Sequence, residues 1–211
     1  MNTPENSNTA SPSDRAGVGV DWEARYNAGD TPWEKGAPHP ALVDWLAKNP
    51  LPGRVLVPGC GAGHDVREIS KNPASEVVGI DIAPSAIRMA GSFSPVGRET
   101  YVLGDYLAGE ARRLGPFDSM VEHTCFCAIH PSRRKDYALE AAAALKPGGL
   151  LMGVFYGNPD NPETDSPPFR SPSEVVRELF ARDFEVLSET SPVPTYQGRE
   201  GREYVMVLRR R

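Results

Sequence analysis

The residues most able to do chemistry lie in a glycine-rich stretch near residue 60. The stretch is Pro58-Gly59-Cys60-Gly61-Ala62-Gly63, and a short apolar segment, Arg54–Val57, leads directly into it. An acid, Asp81, ends the next apolar segment, about twenty residues after the glycines. Glycines allow positive φ and a close approach of the backbone to a ligand, and an acid at a strand end can accept hydrogen bonds from both hydroxyls of a ribose. The combination predicts a site for a cofactor that contains adenosine.

The spacing of the glycines narrows the class of cofactor. A dinucleotide fingerprint needs Gly-x-Gly-x-x-Gly, whereas here Gly63 occupies the fifth position and His64 the sixth. The resulting Gly-x-Gly-x-Gly pattern is typical of methyltransferases, and no P-loop lysine accompanies it. We therefore expect S-adenosylmethionine rather than a nicotinamide cofactor, with Gly59, Gly61, Gly63 and Asp81 in contact with it. The alternative is a tight strand-to-helix turn without a ligand.

A second acid, Asp105, follows the predicted strand Thr100–Leu103 and has Tyr106 as its neighbour. At the end of a third parallel strand, an acid can accept a hydrogen bond from the amino group of an adenine, and the tyrosine can lie beside the ring. The pair is thus predicted to bind the same cofactor. The alternative for Asp105 is an ordinary surface turn.

Aromatic residues are concentrated ahead of the first strand. All three tryptophans, Trp22, Trp33 and Trp45, fall within residues 21–49. A sulfonium is a cation, and an aromatic face stabilises a cation by about 0.5–2 kcal/mol. We expect residues 21–49 to form an aromatic lid in which Trp22, Tyr26 and Trp33 contact the cofactor. The alternative is that these rings only pack the segment against the core.

From residue 54 onward, predicted strands alternate with predicted helices, which is typical of a parallel sheet covered on both faces. We expect an α/β fold: a Rossmann-like, seven-stranded, mostly parallel sheet with helices on both faces, spanning residues 21–211 after a disordered leader at 1–20. The predicted strands are Arg54–Val57, Glu76–Asp81, Thr100–Leu103, Phe117–His123, Leu150–Tyr156, Phe184–Glu189 and Glu203–Arg209. The clearest predicted helix is Ser132–Leu145, stopped by Lys146-Pro147-Gly148-Gly149.

Composition limits the partners and the compartment. The chain of 211 residues carries a net charge of −5 and shows no basic stripe, which argues against a nucleic-acid partner. We find no apolar run of membrane-spanning length and no signal peptide. Three cysteines do not make a disulfide framework, so we expect a cytoplasmic protein, a monomer whose partner is a small molecule.

Several segments together resemble the thiopurine S-methyltransferase superfamily, and within it the plant-type halide/thiol methyltransferases. The likeness spans roughly Trp22 to the end of the chain. It implies the class I methyltransferase fold, S-adenosylmethionine as cofactor, and cofactor contacts that include Ile82 and His123. Tyr26 is often tryptophan in the plant-type enzymes, and His123 is often tyrosine. The matching segments are Trp22–Tyr26, Gly29–Gly36, Val55–Val66, Val78–Ile82, Phe126–Ile129, Leu145–Gly149, Pro167–Phe169 and Gly201–Glu203.

The resemblance implies a small, soft acceptor: a thiol, hydrosulfide, thiocyanate or a halide. Such an anion is already a nucleophile, so no strong base is needed, and Tyr156 at the end of the fifth strand is a candidate for orienting it. Alternatives are a thiopurine, tellurite or selenite, an oxygen nucleophile, or a cofactor-binding module without catalysis. No metal site is predicted, because Cys125 and Cys127 have no second pair and the histidines lack ligand spacing.

Overall fold

A computed structural model describes residues 20–158 and 165–211 of the chain. The predicted leader, residues 1–20, lies outside the described residues apart from Val20, and its disorder stays a prediction. The strands are β1 Gly53–Pro58, β2 Ser75–Asp81, β3 Arg98–Leu103, β4 Phe117–His123, β5 Leu145–Tyr156, β6 Phe184–Thr190 and β7 Glu203–Arg210. The helices are α1 Trp22–Asn27, α2 Pro40–Leu46, α3 His64–Ser70, α4 Pro84–Gly91, α5 Glu110–Leu114, α6 Arg134–Ala144 and α7 Ser173–Phe180.

The strands form one sheet in the order β3-β2-β1-β4-β5-β7-β6. The first five strands in this order run parallel, and β7 runs antiparallel to both of its neighbours. The prediction of a seven-stranded, mostly parallel sheet is therefore confirmed. Strand order reverses direction between β1 and β4, and ligands of such sheets bind beyond the carboxyl ends of the strands at this point.

Helices cover both faces of the sheet, as predicted. Alternate residues of a strand point to opposite faces. Val55 of β1 is buried in a core cluster with Val66 of α3, whereas its neighbour Leu56 is buried in a second cluster with Tyr137 of α6. Among the described residues, no helix is long and apolar enough to cross a membrane.

Helix α6 ends at Ala144, as the predicted stop requires, but the fifth strand begins earlier than predicted. Strand β5 begins at Leu145, and the predicted turn Lys146–Gly149 lies within it as a bulge. Leu145 pairs with Phe117, and the next pair in the register is Leu150 with Ser119, so these four residues stand opposite the single Asp118 of β4. The Lys146 ammonium lies 2.5 Å from the Asp118 carboxylate. These turn-forming residues make a bulge here, because β5 resumes its pairing with β4 beyond them.

Candidate active site

A cavity of about 410 Å³ opens at the carboxyl ends of the parallel strands. Its size falls within the range usual for sites of small molecules and cofactors. Gly63 and His123 are absent from its wall. Ten of the predicted site residues line it: Trp22, Tyr26, Trp33, Gly59, Gly61, Asp81, Ile82, Asp105, Tyr106 and Tyr156.

The loop after β1 is built around Asp81, the last residue of β2. The backbone N–H of Gly61 donates to one oxygen of the Asp81 carboxylate, and the N–H of Ala83 donates to the other, both at 2.9 Å. Burial raises the pKa of Asp81, and the backbone N–H donors around it oppose that rise. The carboxylate is thereby fixed at the cavity wall.

Gly63 has a structural role outside the wall. It adopts φ +74° just ahead of α3, where a Cβ atom would lie 2.6 Å from the ring of Tyr101. Only glycine fits both this backbone conformation and this approach. A cofactor contact of Gly63 remains a prediction.

The second acid lies beside the first. The side chain of Asp105 accepts a hydrogen bond from the N–H of Leu107 at 2.8 Å, which fixes it at the start of a short 3₁₀ turn, Tyr106–Ala108. Tyr106 is buried, and its hydroxyl donates to the backbone carbonyl of Tyr137 at 3.2 Å. We name the part of the cavity that contains Asp81 and Asp105 the acid end.

The aromatic residues of the N-terminal segment form one cluster over the glycine loop. The ring of Trp33 meets Trp22 at 5.4 Å and Tyr26 at 5.6 Å between centroids, and its indole N–H donates to the Tyr26 hydroxyl at 3.1 Å. That hydroxyl lies 3.2 Å from where a Cβ on Gly61 would be. The guanidinium of Arg25 lies 4.6 Å from the centre of the Trp33 ring. The three rings thus pack together as one part of the cavity wall.

Two acidic side chains tie this segment to the sheet's helices. Glu23 of α1 accepts hydrogen bonds from the backbone N–H and the hydroxyl of Ser85 in α4, each at 2.8 Å. Glu34 lies 2.9 Å from the ring of His64, the first residue of α3. Whether the segment moves as a lid stays a prediction.

His123 faces a buried polar cluster. Its Nδ1 lies 2.7 Å from the carboxylate of Asp65, and its ring contacts that of His39 at 4.5 Å. Burial tends to lower the pKa of His123, but the charge and hydrogen bond of Asp65 raise it overall. The physical reason for this placement is that Asp65, on α3, pairs with His123 at the end of β4. His123 does not line the cavity, so this geometry does not support its predicted contact with the cofactor.

The same cluster could be mistaken for a metal site. In the described part of the chain, His39, His123 and Glu203 are the set whose ligand atoms lie within 4.8 Å of one another. However, Nδ1 of His39 accepts the N–H of Ala41 at 3.1 Å, so the proton sits on Nε2, which donates to Glu203 at 2.9 Å. A metal ion in this cluster would need a lone pair on Nε2 of His39, but that nitrogen carries the proton. The cluster is a hydrogen-bonded network.

The opposite part of the cavity has a different chemistry. We name it the arginine end; it comprises Cys127, Ile129, Tyr156, Pro167, Pro168, Arg199 and Arg202. The N–H of Phe169 donates to the Cys127 carbonyl at 2.7 Å and so joins the two segments that the resemblance singled out. Cys127 belongs to a 3₁₀ turn, Phe126–Ala128, rather than to a strand end.

Sequence reasoning missed the arginines of this end. Arg199 donates to the Glu203 carboxylate at 3.0 Å, and its guanidinium lies 5.3 Å from the centre of the Tyr156 ring. The antiparallel direction of β7 provides the signal that could have found them. Glu203 starts β7 opposite Tyr156, which ends β5, so the loop before β7 must reach the carboxyl edge of the sheet.

Comparison with known proteins agrees with this geometry. The family described as Thiopurine S-methyltransferase matches residues 19–205. The chain belongs to this family. It is a methyltransferase that uses S-adenosylmethionine.

Individual relatives fit the same assignment. The methyltransferase is 35% identical to a probable thiol methyltransferase 2 of Arabidopsis thaliana, over 79% of this chain and 74% of the relative. It is 34% identical to thiocyanate methyltransferase 1 of the same plant, over 85% and 81%. In fold it resembles a Burkholderia thailandensis 1,6-didemethyltoxoflavin-N1-methyltransferase structure with bound S-adenosylhomocysteine, with TM-score 0.68, 22% identity, and 99% and 94% coverage.

The acid end fits the cofactor on its own chemistry. Asp81 presents a buried carboxylate whose pKa is raised by burial, and each oxygen can accept a further hydrogen bond, as from a ribose hydroxyl. The glycine loop brings its backbone to the wall, and Asp105 lies where it can accept from an amino group. These residues remain predicted contacts.

Proposed function

We propose that this methyltransferase transfers the methyl group to a small, soft nucleophile: a thiol, hydrosulfide, thiocyanate or a halide. The observation that carries the proposal is the arginine end, where a fixed guanidinium lies among apolar walls. Such a site favours a weakly hydrated anion, because removing it from water costs less than for a hard oxyanion. The names of the two plant relatives, a thiol and a thiocyanate methyltransferase, support the same class.

The cysteine thiols near the arginine end are poor bases near neutral pH. Burial raises the pKa of the Cys127 thiol to about 12, and it also raises the pKa of the Cys125 thiol nearby well above its ordinary value. The described wall of the cavity contains no histidine. We infer that the acceptor binds as an anion and that its proton, if it had one, is lost to solvent beforehand.

The protein's part in the reaction is then alignment and exclusion of water. S-adenosylmethionine, when bound, supplies an electrophilic methyl group that an in-line nucleophile can take up. The acid end would hold its nucleoside part, and the aromatic cluster of Trp22, Tyr26 and Trp33 would cover it. Tyr156 and Arg199 would orient the acceptor. Holding the reactants in line and stripping water from the anion both accelerate such a displacement.

A panel of acceptors tests the proposal. The purified protein would be incubated with S-adenosylmethionine and one acceptor at a time, with products detected by mass. The acceptors are thiocyanate, iodide, hydrosulfide, a simple alkyl thiol, a thiopurine, selenite, tellurite, an amine and, as the oxygen nucleophile, a hydroxyquinolone. We expect the small soft anions and thiols to give the highest kcat/KM. Preference for the thiopurine, the oxyanions or the hydroxyquinolone would reassign the acceptor. Turnover of the amine alone would contradict the proposal.

A further inference from the structure

We propose that Arg199 contacts the anionic acceptor in the arginine end, and that Glu203 is the positioning residue that holds Arg199 there. This inference rests on the proposed function and adds a residue that recognises the charge of the acceptor. It also gives a role to the buried network of His39 and Glu203, which methyl transfer itself does not use.

Arg199 is held on two sides. Its side chain is only 15% exposed, although it comes from a polar loop. One guanidinium nitrogen donates to Glu203 at 3.0 Å, and the carbon of the guanidinium lies 5.3 Å from the ring centre of Tyr156 and 5.7 Å from that of Tyr196. The bond to Glu203 uses one of the five N–H donors of an arginine. A guanidinium fixed in this way reaches the cavity already ordered.

The surroundings of Glu203 keep its carboxylate charged and hold it in one position. Its side chain is 1% exposed, and it accepts hydrogen bonds from His39, Thr195 and Arg199. Burial alone would raise the pKa of Glu203, but the hydrogen bonds from His39 and Thr195 and the charge of Arg199 bring it down to about 2. These donors fix the Glu203 carboxylate, which in turn fixes Arg199, and the guanidinium keeps further N–H donors that can face a ligand.

The charged residues of the cavity wall stand at the ends of different strands. Asp81 ends β2 and Asp105 follows β3. Arg199 lies beside Tyr156, which ends β5 on the other side of β1 and β4. The N-terminal segment adds two further cations to the wall, Arg25 and Lys35, and Arg25 lies over the Trp33 ring. A guanidinium is more weakly hydrated than an ammonium, so it pairs well with a soft anion. For a thiol, a fixed cation also lowers the pKa of the bound group and favours the thiolate.

Binding measurements test the role of Arg199 without turnover. Sodium thiocyanate would be titrated calorimetrically, at fixed ionic strength, into protein saturated with S-adenosylhomocysteine. The variants are Arg199→Gln, Arg199→Lys and, as matched control, Arg177→Gln, whose residue pairs with Glu189 away from the cavity. We expect Arg199→Gln to weaken thiocyanate binding about tenfold or more. Arg199→Lys should bind thiocyanate with an affinity between those of Arg199→Gln and the wild type. The control Arg177→Gln should bind it as the wild type does.

A second pair of probes separates the acceptor from the cofactor. S-adenosylhomocysteine carries a carboxylate, and 5′-methylthioadenosine lacks it. We expect Arg199→Gln to leave the Kd of both within twofold of the wild type, which also shows that the variant is folded. Weaker binding of S-adenosylhomocysteine alone would mean that Arg199 holds the cofactor's carboxylate, and the inference would be wrong.

A double-mutant cycle tests Glu203. We expect Glu203→Gln to weaken thiocyanate binding and to have no further effect when Arg199 is already Gln, because a positioning residue acts only through its partner. Additive losses would overturn this role. Unchanged thiocyanate binding by Arg199→Gln, in a preparation whose wild type methylates thiocyanate, would overturn the inference and leave the proposed function standing. A wild type that binds S-adenosylhomocysteine but neither binds nor methylates any small anion would overturn both.

Discussion

The fold buries the carboxylate of Asp81, although removing a charged group from water is unfavourable. Its two oxygens already accept from Gly61 and Ala83, and it faces the cavity. A ligand hydroxyl would add a donor to a charged acceptor, which is worth about 1.5–3 kcal/mol. The glycine loop and its acid thus form one unit.

We expect Asp81→Ala to weaken S-adenosylmethionine binding by about 1.5–3 kcal/mol, since it removes hydrogen bonds to a charged group. Calorimetry on the folded variant measures this. Asp44→Ala, on α2 and outside the cavity wall, is the matched control and should bind as the wild type does. Unchanged affinity of Asp81→Ala would refute the assignment of Asp81 to the ribose.

The buried carboxyl of Glu122 makes the stability of the protein depend on pH. Burial raises the pKa of the Glu122 carboxyl from 4.5 to about 7, although it accepts hydrogen bonds from Tyr137 and from the N–H of Phe126. Between these two values the folded state binds more protons than the unfolded state, so the free energy of unfolding falls as pH rises through this window.

We expect the Glu122 carboxyl to cost the wild type about 3 kcal/mol of stability between pH 4.5 and 7. Glu122→Gln keeps an oxygen that can accept from Phe126 and cannot ionise, so this fall should be missing. Urea unfolding of both proteins at pH 5 and pH 8 measures the difference. A gap between the two that does not change with pH would contradict the prediction.

Sequence predicts residues well where the signal is local. The glycine loop, Asp81 and Asp105 lie at strand ends that hydrophobic patterning marks. The pair of His39 with Glu203 joins residues 164 positions apart, and the approach of Arg199 to Tyr156 also joins separate segments of the chain. No pattern in either segment shows such a contact. His123 was placed at the cofactor by resemblance, and its partner Asp65 could not be foreseen.

At the scale of elements, the N-terminal segment is the part whose function most needs a test. Helix α1 packs on α4 through Glu23 and Ser85, and the loop after it brings Trp33 over the glycine loop. None of the strands needs this segment for its pairing. The segment is therefore an addition that completes the cavity.

We expect a chain that starts at Val20 to keep full activity, whereas one that starts at Glu34 should lose it. The second deletion removes Trp22, Tyr26 and Trp33 from the wall of the cavity. Turnover and S-adenosylhomocysteine binding would be measured together, with circular dichroism as the control for folding. Full activity of the shorter chain would show that the aromatic cluster is dispensable.

The strands show how far element prediction reaches. Alternation of apolar strands with helices predicted all seven strands to within a few residues. The stretch Lys146–Gly149 follows the end of the helix as predicted, but the predicted start of the fifth strand at Leu150 was wrong, because local turn chemistry is the same for a turn between elements and for a bulge inside a strand. Only the pairing of β5 with β4 on both sides of the stretch distinguishes the two.

At the scale of the whole molecule, one edge of the sheet collects the residues that we propose act in the reaction. The parallel strands bring the glycine loop, both acids and Tyr156 to their carboxyl ends. The antiparallel β7 returns Arg199 to the same edge, and the N-terminal segment covers it. Our proposal is that this edge binds an acceptor that is already an anion.

This construction predicts different pH profiles for different acceptors. For an alkyl thiol, kcat/KM should rise with pH toward the pKa of the free thiol, near 8.5, because the thiolate is the nucleophile. Iodide carries no proton, so its kcat/KM should stay flat between about pH 6 and 9. One preparation assayed with both acceptors provides the comparison, and thiocyanate serves as a second acceptor without a proton in this range. Parallel profiles for thiol and iodide would mean that a group of the enzyme limits both reactions, and the mechanism without a base would be wrong.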